Sequence, residues 1–173
     1  MEEMKAILEA LVFASEIPLS VDKIGELFPG TEKSEIKKFL EELIQEYEER
    51  KGGIDLQAVA GGYQFRTRAD FSQWVKKLRM GKPAGLTPAA LETLAVIAYR
   101  QPVVKADIDR FRGVDVSGSL KGLLEKKLVR VVGRKDVPGK PILYGTTKKF
   151  LEVFNLKDLA ELPTLRELKE LQE

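Results

Sequence analysis

The sequence of 173 residues contains no cysteine and no histidine. Without cysteine, the chain has no disulfide, no thiolate nucleophile and no cysteine zinc site. Without histidine, it lacks the commonest metal ligand and the one side chain whose unperturbed pKa lies near neutrality. These absences disfavour most hydrolase, metalloenzyme and redox functions, and we predict no metal, no cofactor and no enzymatic activity. A small enzyme built on carboxylates and lysine stays open as an alternative.

The sequence also lacks a long apolar run and a strong net charge. No stretch approaches the ~18 apolar residues that a membrane span requires. The first charged residues, Glu2 and Glu3, are acidic where a secretory signal is basic. We therefore predict a cytoplasmic protein without membrane contact. Its 29 basic and 27 acidic residues leave a net charge of +2, and its 43% hydrophobic content is enough for a packed core.

The first 80 residues have the apolar spacing of three helices, a hairpin and a further helix. Ser20 and Thr31 are predicted to cap the second and third helices. Gly61-Gly62 is predicted to be the two-residue turn of the hairpin. In the last helix, Trp74 shares one face with Phe71 and Leu78, which predicts that it belongs to the core. A Gly/Pro-rich stretch, residues 80–86, is predicted to be a linker.

The second half repeats this order of elements with a different sequence. Thr87 and Pro88 predict a helix start. The helix that follows, Leu91 to Tyr99, is apolar almost all round and is predicted to form the buried centre of its domain. Later come helices at 105–111 and 117–127, strands at 129–132 and 142–146 around a loop at 133–141, and a helix at 148–154.

Helix, helix, helix, strand, loop, strand is the order of a winged-helix domain, in which the loop and its strands form the wing. We therefore predict an α+β, mainly α, fold with two tandem winged-helix domains at 1–80 and 87–155. An unrelated α+β pair is the alternative. A tail at 156–173 has leucine at every third position and Pro163 in its middle. The tail is either a solvated terminus or a segment that docks on the domain or on a partner.

Charge is divided unequally between the two halves. Residues 1–80 carry 12 basic and 15 acidic side chains, whereas residues 81–173 carry 17 and 12. The third helix of the first half carries many glutamates, which would repel the phosphates of DNA, so this half is a poor candidate for DNA binding. In the second half, Lys121, Lys126 and Lys127 are candidate phosphate contacts. The predicted recognition helix lacks the Arg, Asn and Gln that pair bidentately with bases, so any DNA contact is expected to be indirect or non-specific. We favour a solvated basic surface, or one that meets an acidic protein partner, over phosphate contact through the wing.

Five ordered segments of the sequence are typical of one protein family. They are ILEALVFASEIPLS, LTPAALETLAVIAYRQPV, RGVDVSGSLKGLLEKKLV, VGRKDVPGKPILYGTT and FLEVFNLKDLAELP. Together they resemble the bacterial segregation and condensation protein B (ScpB) family over essentially the whole chain. The resemblance implies a homodimer formed by the N-terminal domain, in a non-enzymatic, nucleoid-associated subunit of the chromosome-condensing SMC complex. It implies binding to the kleisin ScpA and, through it, to the SMC ATPase heads. A winged-helix transcription regulator is the alternative function.

Candidate contact residues follow from this picture. We expect the C-terminal domain to bind kleisin and the N-terminal domain to form the dimer through apolar surface, with ordinary core packing as the alternative for the dimer residues. No catalytic, cofactor-binding or metal-binding residue is predicted. The predicted kleisin contacts are Arg134, Lys135, Pro138, Lys140, Leu156, Leu159 and Leu162, and the predicted dimer contacts are Leu8, Leu11 and Phe13.

Overall fold

The structure is a computed structural model that describes residues 2–78, 85–164 and 167. The chain divides into two compact units. The first unit comprises the described residues within Met1–Gly81 and Asn155–Glu173, and the second comprises those within Lys82–Phe154. The first unit is therefore formed by two segments of the chain, and the second unit lies between them in the sequence. The predicted domain limits differ from this division in assigning no part of the tail to the first unit.

In the described part of the first unit, the last of four helices has no buried residue, and the other three pack with a two-stranded antiparallel sheet. Their shared core consists of ten buried apolar side chains from α1, α2, α3 and the hairpin. The elements are α1 (Glu2–Ala14), α2 (Val21–Gly25), α3 (Lys33–Arg50), β1 (Ile54–Val59), β2 (Gly62–Thr67) and α4 (Ser72–Leu78). The core residues are Leu8, Val12, Ile24, Ile36, Phe39, Leu40, Leu43, Tyr47, Leu56 and Tyr63.

Two of the three predicted helix caps are confirmed. The Ser20 side chain accepts a hydrogen bond from the Lys23 amide at 3.2 Å. The Thr87 hydroxyl accepts one from the Ala90 amide at 3.2 Å. The third prediction, Thr31, is wrong because the residue before α3 is Glu32, whose side chain makes no capping bond. The residue type therefore predicts the helix start correctly at Ser20 and Thr87, whereas α3 begins one residue later than a cap at Thr31 would place it.

The hairpin turn lies one residue earlier than predicted. It consists of Ala60 and Gly61, with φ angles of 52° and 74°, and Gly62 already pairs with Val59 in the sheet. Gly62 is needed for another reason. A Cβ atom there would lie 2.8 Å from the carbonyl carbon of Leu19, which is too close for any side chain. The close approach lets the backbones of Leu19 and Tyr63 exchange two hydrogen bonds of 2.9 Å each.

The second unit has the element order of a winged helix. Its three strands form an antiparallel sheet in the order β3-β5-β4, so β4 is an edge strand. The prediction of an α+β, mainly α, winged-helix fold is confirmed by the order of the elements and the antiparallel wing. Strand β3 has only two residues and was missed from the sequence. The elements are α5 (Pro88–Arg100), β3 (Val103–Val104), α6 (Lys105–Arg112), α7 (Ser117–Glu125), β4 (Val129–Arg134), β5 (Ile142–Thr146) and α8 (Lys148–Phe154).

One glutamine attaches the base of the wing to the end of α5. The Gln101 side-chain oxygen accepts a hydrogen bond from the Thr146 amide at 2.8 Å, and its amide nitrogen donates to the Ala98 carbonyl at 3.2 Å. Gly145 leaves room for this contact, because a Cβ there would lie 2.9 Å from the Gln101 oxygen. Strand β5 is thereby held against the helix, which fixes where the wing begins.

A charged cluster fixes the start of α7. The helix has Val116 as its N-cap residue, and a valine side chain accepts no hydrogen bond. Asp109 accepts one from the Val116 amide at 2.9 Å and another from the Lys105 ammonium at 2.8 Å. Lys105 also pairs with Asp115. Hydrogen bonds from Lys105 hold the pKa of both aspartates below the ordinary value of 3.8, and the aspartates raise the pKa of Lys105.

We expect Asp109→Asn to lower the melting temperature at pH 7 and to make the chain less sensitive to acid. Because folding lowers the pKa of Asp109, its ionised form stabilises the fold above about pH 3.8, and this contribution is lost as the pH falls through the folded value. Asparagine keeps an acceptor for Val116 and loses the charge. Circular dichroism melts at pH 7 and pH 3 measure the effect. If the melting temperatures of the parent chain and the variant differed by the same amount at both pH values, the predicted role of the Asp109 charge would be contradicted.

Candidate interaction surfaces

An aromatic surface lies between α1 and the hairpin of the first unit. Phe13 is 74% exposed and meets the ring of Phe65 edge-on at 6.4 Å. Phe65 in turn contacts Tyr47 at 4.8 Å, and the Tyr47 hydroxyl donates a hydrogen bond to Glu9, which raises the pKa of Tyr47. Together with Ala6 and Ala10, these residues line an open cleft of about 210 Å³. The cleft is large enough to accept an apolar side chain from another chain.

The three predicted dimer residues have different surroundings. Leu8 is fully buried in the core, so it follows the alternative of ordinary packing and presents no surface to a second copy. Leu11 is half-buried. Phe13 is exposed and belongs to the aromatic surface. Ile17, in the turn after α1, is also exposed and was not singled out from the sequence, because a lone isoleucine in a turn carries no periodic signal.

The prediction that Trp74 belongs to the core is wrong. Its side chain is 61% exposed, and Phe71 and Leu78 on the same side are exposed too. The Lys77 ammonium lies 4.6 Å from the centre of the Trp74 ring and covers part of it. Helical spacing shows which side chains share a face, and it contains no information on whether another element covers that face.

The beginning of the leucine-rich tail docks on the first unit. The amides of Ala60 and Gly61, in the hairpin turn, donate hydrogen bonds to the carbonyls of Leu156 and Lys157 at 2.8 and 3.1 Å. A short 3-10 helix, Leu159–Glu161, follows. Leu156 and Leu162 are half-buried, whereas Leu159 is exposed. The predicted leucines at 165, 168 and 171 lie outside the described residues. Of the two alternatives for the tail, the described part follows docking on the domain.

Helix α5 is only partly buried, in contrast to the prediction. Leu94 and Ile97 fill the core of the second unit, while Leu91 and Tyr99 are exposed. Phe111 of α6 is 48% exposed, and the guanidinium of Arg100 lies 4.7 Å from its ring centre. We call Leu91, Tyr99 and Phe111 the α5–α6 surface.

The basic residues of the second unit form two groups on its hairpin. At the base, the Thr147 hydroxyl donates a hydrogen bond to the Lys127 carbonyl at 2.6 Å, which brings the start of α8 to the turn before β4. At the tip, Arg134 donates to the Lys140 carbonyl at 3.1 Å. The base group contains Lys126, Lys127, Arg130 and Lys148, the tip group contains Arg134, Lys135 and Lys140, and both groups together are called the basic wing.

The predicted contact residues are therefore only partly brought together. Arg134, Lys135, Pro138 and Lys140 share the wing tip of the second unit, whereas the tail leucines belong to the first unit. Lys126 and Lys127 join the wing base. Lys121 lies on α7, with its ammonium 4.0 Å from the carboxylate of Glu125.

Neither a metal site nor a membrane span is found among the described residues. No group of three or more aspartate and glutamate side chains in 2–78 and 85–164 is arranged to hold a metal ion. None of the helices in those ranges is both long and apolar enough to cross a bilayer.

Comparison with protein families and curated relatives gives a consistent result. The family model described as "Segregation and condensation complex subunit ScpB" matches residues 6–165. The chain is 49% identical to segregation and condensation protein B of Syntrophotalea carbinolica, over 98% of this chain and 85% of the relative. It is 45% identical to that of Moorella thermoacetica, over 99% and 88% of the two chains.

Two solved structures of ScpB proteins are similar to this chain in sequence. The crystal structure of ScpB from Mycobacterium tuberculosis is 36% identical, over 90% of this chain and 96% of that chain, with a TM-score of 0.43. The crystal structure of a dimer of the ScpB N-terminal domain complexed with ScpA peptide is 32% identical, over 44% of this chain and 95% of that chain, with a TM-score of 0.41.

Proposed function

Since this chain belongs to the ScpB family, we propose that it acts as a homodimeric, non-enzymatic subunit that binds the kleisin ScpA and, through ScpA, the heads of the SMC ATPase. In this role it works in the cytoplasm at the nucleoid. The solved dimer of the ScpB N-terminal domain with a ScpA peptide supports the partner and the dimer. The link to the ATPase is what membership of the ScpB family implies, and the family's description as a complex subunit supports it.

Exposed apolar side chains on both units carry the proposal. Large apolar groups that gather on the surface of a soluble chain mark places where another macromolecule docks. The first unit offers Phe13 and Ile17, and the second offers Leu91 and Phe111. We assign the aromatic surface to a second copy of this chain and the α5–α6 surface to ScpA, in addition to the ScpA contact on the first unit that the crystallised N-terminal domain supports.

The chemistry of the α5–α6 surface suits an acidic amphipathic segment. Two guanidinium groups lie near the Phe111 ring, that of Arg100 at 4.7 Å and that of Arg110 at 5.8 Å from its centre. A partner with apolar anchors next to carboxylates would bury the ring and pair with the arginines. Such binding orders a flexible kleisin, so the apolar anchors must offset the chain entropy that ScpA loses.

The carboxylates of the chain support a structural role. Glu42 and Glu46 both pair with Lys5 at 2.7 Å and join α3 to α1. Asp109 and Asp115 both pair with Lys105 at the start of α7. Hydrogen bonds from Lys5 and Lys105 hold the pKa of Glu42, Asp109 and Asp115 below the ordinary values, so these three side chains are poor general acids.

Titration calorimetry with purified ScpA, without nucleotide, tests the proposal. We expect a complex with a dissociation constant in the micromolar range or tighter, and Phe111→Asp should weaken it roughly ten-fold, which corresponds to about 1.4 kcal/mol. Val153→Asp is the matched control, because Val153 is an exposed apolar residue of α8 outside the α5–α6 surface. Absence of a complex would overturn the proposed function, and equal losses in both variants would overturn the assigned surface.

A further inference from the structure

The basic wing carries positive charge that the second unit does not neutralise. Residues 85–154 contain 13 basic and 7 acidic side chains. Among the described residues, no carboxylate forms an ion pair with any wing cation, although neighbouring Lys149 pairs with Glu152 at 2.7 Å. Asp136 is the one acidic residue at the wing tip. We propose that the basic wing binds the phosphate backbone of duplex nucleic acid without reading its sequence.

The spacing of the two cation groups fits a polyphosphate. Arg130 and Arg134 lie opposite Gly145 and Ile142 of β5, which are three residues apart because the pairing is irregular between Val131 and Gly133. The two arginines are therefore separated by about 10 Å along the strand. A duplex carries one negative charge per ~1.7 Å of its axis, so a duplex lying along β4 meets both groups at once, in any register. The hydrogen bonds of Thr147 and Arg134 hold the base and the tip in place before binding.

The open side of the sheet gives the duplex access. Strand β4 is the edge strand of β3-β5-β4, and its residues from Arg130 to Val132 are exposed. No described element pairs with its outer edge. Both basic residues of the strand, Arg130 and Arg134, are therefore exposed to solvent.

An acidic protein is a less suitable partner for this surface. The centre of a protein interface is usually formed by aromatic or other large apolar anchors, with charge at the rim. Along residues 126–140, the exposed apolar side chains are three valines and Pro138, and the exposed aromatic residues lie on other surfaces. Isolated exposed ion pairs contribute little, whereas binding to a duplex also releases condensed counterions.

The recognition helix offers nothing that would select bases. The exposed positions of α7 include Ser117, Gly118, Lys121 and Glu125, and Lys121 lies 4.0 Å from Glu125. Bidentate readout of guanine or adenine needs Arg, Lys, Asn or Gln aimed freely into the major groove. Contacts to phosphate position a protein without specifying sequence. The inferred binding is therefore uniform across sequences, and it does not depend on ScpA.

Fluorescence anisotropy of a labelled 30-base-pair duplex of mixed sequence, titrated with the full chain alone, tests the inference. Non-specific binding predicts a dissociation constant of roughly 10⁻⁵ M near physiological salt. Contact with four or five phosphates predicts that log K falls with log salt with a slope of about −4. No binding at 50 mM salt, or a strong preference for one sequence, would overturn the inference.

Variants with the same change in net charge distinguish duplex binding by the wing from general attraction of the duplex to a basic protein. Lys126→Glu with Lys148→Glu removes cations at the base, and Arg134→Glu with Lys135→Glu removes them at the tip. Each pair should weaken duplex binding roughly ten-fold. The control, Lys37→Glu with Lys38→Glu on α3, makes the same change of net charge and should stay within about two-fold. Circular dichroism checks that each variant is folded.

Two results would refute the assignment. An equal loss in the control would mean that overall charge, and no particular surface, attracts the duplex. A tip variant that keeps duplex binding but loses ScpA would make the wing a kleisin contact, as the sequence alone predicts for Arg134 and Lys135. Neither result would by itself remove the proposed function, because ScpA binding is measured separately.

Discussion

Replacement of Phe13 by aspartate is expected to convert the proposed dimer into a monomer, with self-association weakened by at least about 100-fold, or about 2.8 kcal/mol. Phe13 is 74% exposed and stands beside the cleft formed with Tyr47 and Phe65. An aromatic side chain that fills a partner's recess is the usual centre of an interface, and a carboxylate in its place would be desolvated without a counter-ion. Sedimentation equilibrium over a wide concentration range measures the change.

Matched variants make this prediction specific. Val153→Asp introduces the same charge at an exposed apolar position of the second unit and should leave the dimer intact. The far-UV spectrum of Phe13→Asp should be that of the parent chain, because the side chain is outside the core. A parent chain that is monomeric at high micromolar concentration, or a Phe13→Asp variant that remains dimeric, would contradict the assignment of the aromatic surface to a second copy.

The second large effect is expected for Gly62→Ala, which should lower the free energy of unfolding of the first unit by about 3 kcal/mol. The added Cβ would lie 2.8 Å from the Leu19 carbonyl carbon and 2.9 Å from both the Leu19 oxygen and the Pro18 carbonyl carbon. All three atoms are backbone, so no side chain can rotate away. Relief requires β2 to move from residues 18–19, which weakens the two hydrogen bonds between Leu19 and Tyr63.

Urea denaturation provides the measurement. Circular dichroism follows both units, and hydrogen exchange at the Leu19 and Tyr63 amides reports on the part of the first unit that contacts Gly62. Gly53→Ala is the control, since a Cβ there meets no atom within 4 Å, and its effect should stay within about 0.5 kcal/mol. Equal effects at the two glycines would show that close backbone approach is not what requires Gly62.

Features that depend on neighbouring residues could be predicted well from the sequence. The caps at Ser20 and Thr87 and the apolar spacing of the long helices are local, and they predict the winged-helix order. Strand β3 was missed because two residues carry no pattern, and only their pairing with β5 defines them. Gly62 was assigned to the turn because its actual requirement, the backbone of Leu19, comes from a distant part of the chain.

Exposure was the weakest part of the prediction. Trp74 and the outer side of α5 were predicted to be buried, and Leu8 was a candidate dimer contact with ordinary core packing as the alternative, which is what the structure shows. In each case the spacing identified an apolar face correctly, but what covers that face depends on packing that no local pattern contains. The basic residues of the wing could be identified from the sequence alone, because the positive charge of lysine and arginine does not depend on how the chain packs. Their arrangement in two groups required the hydrogen bonds of Thr147 and Arg134.

The return of the chain at Leu156 has a consequence for biosynthesis. The amides of Ala60 and Gly61 emerge from the ribosome early, and their acceptors on Leu156 and Lys157 emerge only after the whole second unit has been translated. Until then the turn is hydrated, and its amides exchange freely with solvent. Hydrogen exchange at the amides of Ala60 and Gly61 should therefore slow only after residues 156–157 have been synthesised. Its rate distinguishes a nascent chain from one in which both units are complete.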